Sequence, residues 1–373
     1  MKAKIFYISL LILISQNLFS QEINSSFYTT TRINQADSNQ LSLRIENTNF
    51  FKNDEFFGGL TSGLTYIGTY IRPELVYQPY KNIKISAGVH LLKYSGLGIF
   101  SQILPVFSFQ YSPNQNIDFI MGSLNGGLNH RIIEPMYAFQ NHLINNLENG
   151  AQFLVHNHKI NLDIWLNWEK YIFKTSHSQE AILGGVHFNY ILFGEKTKSN
   201  FKLDFQALVA HKGGQFHNPE DILQTLANTS TGFIYSKKTK STFIKKIGTE
   251  NYYLSYNDAS GNSVNPYTMG YAIYSNLFIE SKYVYIKAGY WTGEDYISSR
   301  GNSLFMSMSD KDPNFVLPIT ELITGKIAFR KQLFTDIAFE ARFESYMDLQ
   351  QNQFEFSYSF YLIFNRNFFL KKL

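Results

Sequence analysis

The sequence predicts an all-β fold, a transmembrane antiparallel up-and-down β-barrel of about sixteen strands, with fourteen or eighteen strands as alternatives. Between residues 41 and 366, short segments alternate apolar and polar residues at every step. Because the pattern repeats every two residues, one set of side chains faces lipid and the other faces a wet interior. In the last segment one face holds only aromatic and aliphatic residues, namely Phe354, Phe356, Tyr358, Phe360, Leu362 and Phe364.

Residues 1–20 are predicted to be a cleaved signal peptide. Lys2 and Lys4 form a basic start, residues 5–14 form an apolar run, and Ser20 offers a small residue before a cleavage point. The run is too short for a membrane-spanning helix. We therefore expect residues 21–40 to be a short N-terminal periplasmic segment and residues 41–373 to form a single barrel domain.

Composition supports a barrel over a soluble exported protein. Charged residues make up 17% of the chain and aromatic residues another 17%, whereas a soluble domain usually has about a quarter charged residues. No window reaches about eighteen uninterrupted apolar residues, which excludes a helical membrane protein. The absence of cysteine excludes disulfides and thiolate metal sites, and a net charge of +4 is too small to suggest a nucleic-acid partner. We predict no cofactor and no metal.

Strands are predicted, in chain order, at residues 41–50, 63–78, 82–94, 100–111, 116–124, 147–157, 159–171, 181–193, 200–211, 225–236, 241–256, 267–280, 282–292, 318–331, 334–346 and 353–366. The even count places both chain ends on one side of the membrane. Tight turns belong on the periplasmic side. The longer connections, which belong outside, are 51–62, 125–146, 212–224, 257–266 and 293–317.

Alternation also assigns charged side chains to the interior of the barrel. A charge on the lipid-facing side at the membrane midplane costs about 2–4 kcal/mol, so inward placement is strongly favoured. An interior with both signs of charge suits water and small polar solutes. The side chains predicted to line the lumen are Arg72, Glu74, Lys84, Asp163, Asp204, Lys326, Arg330, Glu340, Arg342 and Glu344.

The strand series and the ending Phe364-Asn365-Arg366-Asn367-Phe368-Phe369 resemble porin-like outer membrane β-barrel proteins of the Bacteroidota type. The resemblance implies a Gram-negative outer membrane, contact with its lipid, and insertion by the barrel assembly machinery. In such barrels that machinery reads a terminal aromatic residue, for which Phe364 and Phe368 are candidates, although residues 370–373 follow here. A homo-oligomer is compatible with the resemblance.

The connection at 125–146 has features of a loop that folds into the barrel. Gly126-Gly127 permits a sharp turn, Pro135 fixes a bend, and four apolar residues, Ile132, Ile133, Met136 and Phe139, are available as anchors. The porin resemblance implies that this third outer loop narrows the channel. The alternative is an exposed cap outside the barrel. The predicted constriction residues are Asn129, His130, Arg131 and Glu134.

Other candidate chemistry has simpler interpretations. His156 and His158 are two positions apart at a strand end, so both imidazoles could point to the same face and bind one metal ion. They also fit a polar rim of the barrel. Charged lumen residues such as Glu340 and Arg342 could act as an acid and a base, or form a solvated wall. No Gly-x-Ser-x-Gly motif and no local Ser/His/Asn cluster supports an outer membrane hydrolase, so the sequence predicts that the protein is not an enzyme.

About sixteen strands leave an aqueous channel, whereas about eight are filled by side chains. The predicted function is therefore passive diffusion of small hydrophilic solutes through a porin-like channel. The alternatives are a substrate-selective channel and a surface-binding or structural barrel. Residues 21–40 are too few for the plug of an energy-coupled transporter.

Overall fold

The computed structural model describes residues 23–30, 32–174, 178–194, 198–214 and 222–373. The predicted signal peptide, residues 1–20, lies outside the described residues, as does part of the predicted outer connection 212–224. None of the helices in the described ranges is long and apolar enough to cross a membrane.

Sixteen antiparallel strands form a closed barrel in which each strand pairs with its sequence neighbours and the last strand pairs with the first. The structure thus confirms the predicted fold class and strand number. In chain order the strands are β1 (Gln40–Glu55), β2 (Thr65–Tyr80), β3 (Ile83–Tyr94), β4 (Gln102–Asn114), β5 (Ile117–Ser123), β6 (Asn149–His156), β7 (Ile160–Lys170), β8 (Ala181–Phe193), β9 (Ser199–Lys212), β10 (Gln224–Lys238), β11 (Ile244–Asp258), β12 (Met269–Ser281), β13 (Val284–Glu294), β14 (Ile319–Phe334), β15 (Ile337–Asp348) and β16 (Gln353–Lys372).

The strands present two chemically different faces. In β15, Glu340, Arg342 and Glu344 are buried inside the barrel, whereas Phe343 on the opposite face is 41% exposed. The exposed face of such a strand suits hydrocarbon, and the buried face keeps its charges away from lipid. Closure of the sheet also leaves no unpaired edge, which is a requirement for strands in a bilayer.

The last strand extends further than the sequence predicts. β16 ends at Lys372, six residues beyond the predicted end at 366, and Lys372 pairs with Gln40 at the start of β1. Residues 370–372 therefore belong to the closing strand and do not form a tail. Lys371 and Lys372 pair with Leu41 and Gln40, and a shift in register lies between the pairs of Leu41 and Ser42. Local alternation cannot reveal this pairing with the first strand.

Short helices occur in the segments between and before the strands. The one α-helix, α1 (Gln140–Ile144), and a 3₁₀-helix (Gly127–His130) both lie in the connection between β5 and β6, within the described ranges. Gly127 has a φ of 61°, in the left-handed region, so the predicted sharp turn does use a glycine there. Further 3₁₀-helices are Ser25–Phe27, Gln35–Asp37 and Ser303–Phe305.

The connection between β13 and β14 packs into the barrel with an apolar core. Phe305 and Tyr296 are fully buried, and both rings pack edge-on against Trp291 of β13 at centroid distances of 5.0 and 5.2 Å. The sequence predicts that the connection 293–317 lies outside and that the interior is polar. Trp291 faces the lumen because of its position in the alternation of β13, and it is fully buried because the connection covers it. A strand pattern does not show what a distant loop will cover.

The N-terminal segment also enters the barrel. Phe27 is 2% exposed and its ring lies 5.2 Å from that of Phe139 and 5.0 Å from that of Tyr361 on β16. Arg342 donates a hydrogen bond of 2.9 Å to the side chain of Asn24. Residues 23–30 thus lie against the inner wall. The division of the chain into a periplasmic segment, 21–40, and a barrel domain, 41–373, stays a prediction.

Candidate functional site

The connection from residue 124 to residue 148, which we call the inward loop, crosses the barrel interior. His130 bonds to Asp163 on β7, and Glu134 forms an ion pair with Lys326 on β14. β7 and β14 are seven strands apart in the ring of sixteen, so they lie nearly opposite each other. The loop is therefore fastened to both sides of the lumen.

His130 forms the fastening on the β7 side. Its Nδ1 lies 2.8 Å from a carboxylate oxygen of Asp163, and its Nε2 lies 2.8 Å from Glu148 at the end of the loop. The ring stacks on Trp165 with a centroid distance of 3.6 Å and an interplanar angle of 9°. Glu148 also accepts a hydrogen bond of 3.0 Å from the amide of Gly127.

The surroundings of His130 favour its charged form. Complete burial by itself lowers the pKa, but the carboxylates of Glu148 and Asp163 outweigh it and raise the pKa to about 10. The imidazolium and the hydrogen bonds in turn hold the pKa of Glu148 below its usual value, against the opposing effect of burial. Each partner thus keeps the other ionised, so removing one leaves a buried charge without its counterion.

Glu134 forms the opposite fastening. Its carboxylate pairs with Lys326 and accepts hydrogen bonds of 2.7 Å from the hydroxyl of Tyr346 and 2.8 Å from the amide of Asn302. Lys326 is shared with Glu344 at 2.7 Å. The loop is therefore attached to the wall and to the connection between β13 and β14 by one carboxylate.

The other two predicted constriction residues contact the N-terminal segment. The guanidinium of Arg131 lies 4.7 Å from the centroid of the Tyr28 ring, a cation–π contact. Asn129 accepts a hydrogen bond of 2.8 Å from the amide of Thr29. The four residues named from the sequence therefore lie at three different junctions of one loop, and their role in a constriction stays a proposal.

Most of the charged side chains assigned to the lumen form ion pairs there. Arg330 donates a hydrogen bond of 3.0 Å to Glu340, which also pairs with Arg342. Asp204 lies 2.9 Å from His187. Because cationic and anionic side chains lie next to each other, most of the inner wall carries little unbalanced charge.

Two adjoining cavities lie between the inward loop and the wall formed by β1 to β5. The two share Arg44, Arg72, Leu124 and Asn125 as lining residues. The larger one extends to Glu74 and Lys84, which the sequence assigns to the lumen. We call these two spaces the wall cavities. Their lining is mainly polar and charged.

Several residues of this region were not named from the sequence. Arg44 donates a hydrogen bond of 2.7 Å to Glu46, and both belong to the predicted strand 41–50, so alternation could have found them. The Nε2 of His142 lies 3.1 Å from the hydroxyl of Tyr70. No local sequence pattern predicts this contact. Burial first, and then the nearby Arg72 cation, lower the pKa of His142 to about 3, so it remains neutral.

The other sequence candidates make polar contacts with neighbouring residues of the barrel. His156 makes a 3.0 Å contact with the backbone oxygen of Gln115 and lies 3.6 Å from Asp118. In the part of the chain that the structure describes, no group of three or more His, Cys, Asp and Glu side chains is placed to hold a metal ion. Glu340 and Arg342 are engaged in the pairs described above.

A different pair lies on the outward face of the barrel. His211 on β9 lies on the same face as the exposed residues Leu203, Phe205 and Val209. Its Nδ1 lies 2.9 Å from the hydroxyl of Thr225 on β10. The two residues are paired across the strands, near the ends that flank the connection 212–224. Sequence reasoning missed this pair because only the strand register brings the residues together.

The closed barrel, its apolar outer face and its charged interior define an outer membrane β-barrel protein. The sequence matches the lipid A 3'-O-deacylase-type family over residues 33–373, and the chain belongs to that family. No protein of curated function matches the chain by sequence.

Solved structures of similar fold are outer membrane proteins. OmpT of Vibrio cholerae with loop L8 deleted has a TM-score of 0.53 and 9% identity, covering 87% of this chain and 99% of that chain. OprD of Pseudomonas aeruginosa has a TM-score of 0.51 and 10% identity, covering 90% and 97%. OccK3 (OpdO) of the same organism has a TM-score of 0.50 and 10% identity, covering 88% and 96%. At these identities the likeness concerns the fold alone.

Proposed function

We propose that the protein is a narrow, porin-like channel for passive diffusion of small hydrophilic solutes, and not an enzyme. The observation that carries the proposal is the pair of polar wall cavities that adjoin beside a loop crossing the lumen. Charged and amide side chains suit water and polar solutes. The Bacteroidota-type porin resemblance, insertion by the barrel assembly machinery and a homo-oligomer belong to the same proposal.

The inward loop is the constriction in this proposal. His130 and Glu134 fasten it to opposite walls, so a solute must pass beside the loop and not through the centre of the barrel. The wall cavities lie on the β1 to β5 side of the loop, next to Arg72 and Glu74. A loop fastened across the lumen in this way favours a substrate-selective channel over a general porin.

Liposome swelling tests the channel function directly. The refolded protein is reconstituted into liposomes, which are then diluted into solutions of uncharged solutes of increasing size, from glycerol to a trisaccharide. We expect glycerol to enter rapidly and the trisaccharide to be excluded. Heat-denatured protein provides the control. Liposomes with folded protein that do not swell even in glycerol would contradict the proposal.

A second candidate function is hydrolysis of an acyl ester of lipid A. The family match over residues 33–373 favours it, since the name of that family describes this activity. Among the described residues, His211 and Thr225 offer an imidazole and a hydroxyl at 2.9 Å on the lipid-facing side. In this candidate, His211 accepts the hydroxyl proton while Thr225 attacks the ester carbonyl, the bond between the acyl carbon and the sugar oxygen breaks, and the sugar oxygen leaves as a hydroxyl with the proton from His211. Water then hydrolyses the acyl-threonine ester, which releases the fatty acid and restores the Thr225 hydroxyl.

Mass spectrometry of lipid A after incubation with the protein in detergent tests this second candidate. Loss of one acyl chain, abolished in both His211→Ala and Thr225→Val, would establish the hydrolase. Thr229→Val is a matched control, because Thr229 lies on the same outward face and bonds only to Ser255 in the described contacts. Unchanged lipid A would remove the hydrolase and leave the channel proposal in place.

A further inference from the structure

We propose that residues 23–30, which we call the N-terminal strap, act as a tethered plug that narrows the channel and binds its groove reversibly. This inference rests on the proposed channel function and adds a means of closing it. The groove is formed by β14, β15 and β16 of the barrel wall and by the inward loop. The strap therefore bridges the wall and the proposed constriction.

Two arginines of the wall hold the start of the strap. The backbone oxygen of Ile23 accepts hydrogen bonds from Arg330 on β14 and, at 2.9 Å, from Arg342 on β15. Arg342 also donates a hydrogen bond of 2.9 Å to the side chain of Asn24, and Arg330 donates one of 2.9 Å to the hydroxyl of Ser25. Three consecutive residues are thus bound by two guanidinium groups, so the wall recognises a stretch of chain.

Phe27 anchors the middle of the strap. Its side chain is 2% exposed, and its ring packs edge-on against Phe139 and His142 of the inward loop and Tyr361 of β16, at centroid distances of 5.2, 5.3 and 5.0 Å. The guanidinium of Arg342 lies 4.9 Å from the centroid of the same ring. Buried aromatic side chains dominate the energy of such contacts, so loss of this ring should release the strap.

The end of the strap reaches the path beside the inward loop. The amide of Thr29 donates a hydrogen bond of 2.8 Å to Asn129, and the ring of Tyr28 lies 4.7 Å from the guanidinium of Arg131. Thr29 also lines the smaller wall cavity. Since the proposed path runs along the wall cavities, the strap occupies one side of that path, and its departure would widen the path.

The strap can leave its groove at little electrostatic cost. Residues 23–30 contain no charged side chain. Arg330 and Arg342 both pair with Glu340, so each guanidinium keeps a counterion when the strap departs. Departure also breaks no strand pair among the described residues, because β1 begins at Gln40. The inward loop, by contrast, is fastened by ion pairs that its departure would break.

Single-channel recording in planar bilayers tests the plug by comparing the wild-type protein with a strapless variant that lacks residues 23–30. We expect larger conductance steps in the strapless variant. A synthetic peptide of residues 23–30, added at about 1 mM, should return the steps to wild-type size, because a short tether supplies an effective concentration of that order. Washing out the peptide should restore the larger steps. The same peptide with Phe27→Ala should leave them unchanged.

Phe27→Ala in the full chain is the second variant. It removes the anchor and keeps the length of the chain, so it should also give larger steps. Phe243→Ala is its matched control, because Phe243 is 83% exposed and lies just before β11. Folding of each protein is checked by its heat-dependent shift in gel mobility. If the strapless variant does not fold, the comparison of Phe27→Ala with Phe243→Ala decides.

Conductance steps of equal size in the wild-type protein and in the folded variants would overturn the plug and leave the channel intact. Larger steps in the strapless variant that the peptide does not reduce would overturn reversible binding in the groove. An absence of conductance in all of the folded proteins would instead overturn the proposed function, and the plug with it.

Discussion

His130 shows how one residue can hold a loop across a barrel. Its two nitrogens each reach a carboxylate at 2.8 Å and its ring stacks on Trp165, so charge, hydrogen bonding and packing act on the same side chain. Its neighbour in the loop, His142, is equally enclosed but faces a tyrosine hydroxyl, and its pKa is lowered to about 3. Two histidines twelve positions apart therefore have opposite charge states because their partners differ.

Replacing His130 by alanine should destabilise the folded protein. The change leaves Glu148 and Asp163 buried without the cation between them, and breaking such a pair costs about 3–5 kcal/mol. The measurement is urea unfolding of the protein in detergent micelles. His158→Ala is the control, because His158 lies in an exposed turn. Equal unfolding midpoints for the two variants would show that the fastening contributes nothing.

The same residue predicts how stability depends on pH. The folded-state pKa of His130 is raised to about 10, above its unfolded value of 6.5, so its contribution is full below pH 6.5 and is lost as pH rises through 10. Glu148 has a lowered pKa, so its contribution is present above its unfolded value of 4.5 and is lost under more acid conditions. We expect the wild-type protein, but not His130→Ala, to lose stability between pH 6 and pH 10.5.

At the scale of elements, the inward loop and the strands follow different rules. The strands are fixed by local alternation and by pairing with their neighbours, as in β8, whose predicted bounds of 181–193 are those observed. The inward loop is fixed by contacts with distant residues, 33 positions apart for His130 with Asp163 and 192 for Glu134 with Lys326. Gly126-Gly127 and Pro135 predicted its turns but not its attachments.

Charges on the inward loop should control ion preference more than charges on the outer connections. Glu134→Ala removes an anion from the lumen and should shift selectivity toward anions, while Arg131→Ala should shift it toward cations, each by about fourfold. Reversal potentials in a salt gradient measure both. Asp312→Asn removes a carboxylate from an exposed position in the β13–β14 connection and serves as the control. A shift as large in the control would refute the role of the loop.

At the scale of the whole molecule, the path of the chain through the membrane can be tested by single-cysteine labelling, since the protein contains no cysteine. An impermeant thiol reagent on intact cells should label Asp312→Cys, on a long connection, and not Lys240→Cys, in a tight turn. Phe305 would be a poor probe in the same connection, because its side chain is fully buried. Labelling of Lys240→Cys in sealed cells would contradict the orientation.

The sequence predicted the barrel and its strand number because period-two alternation is a local property that every strand repeats. It predicted the inward direction of residues such as Lys326 and Glu340 for the same reason. It did not predict the burial of Phe305 or the contact between His211 and Thr225. Those features depend on where a loop folds or on how two strands align. A short stretch of sequence specifies neither the position of a loop nor the register of two strands.

Single-channel recording in planar bilayers, comparing the wild-type protein with a variant lacking residues 128–140, tests the central claim most directly. The deletion removes both fastenings, His130 and Glu134, without touching a strand. We predict small, stable conductance steps for the wild-type protein and clearly larger steps for the deletion variant, with both proteins shown to be folded by heat-dependent gel mobility. An absence of conductance in both folded proteins would contradict a channel, and equal steps would contradict the inward loop as its constriction.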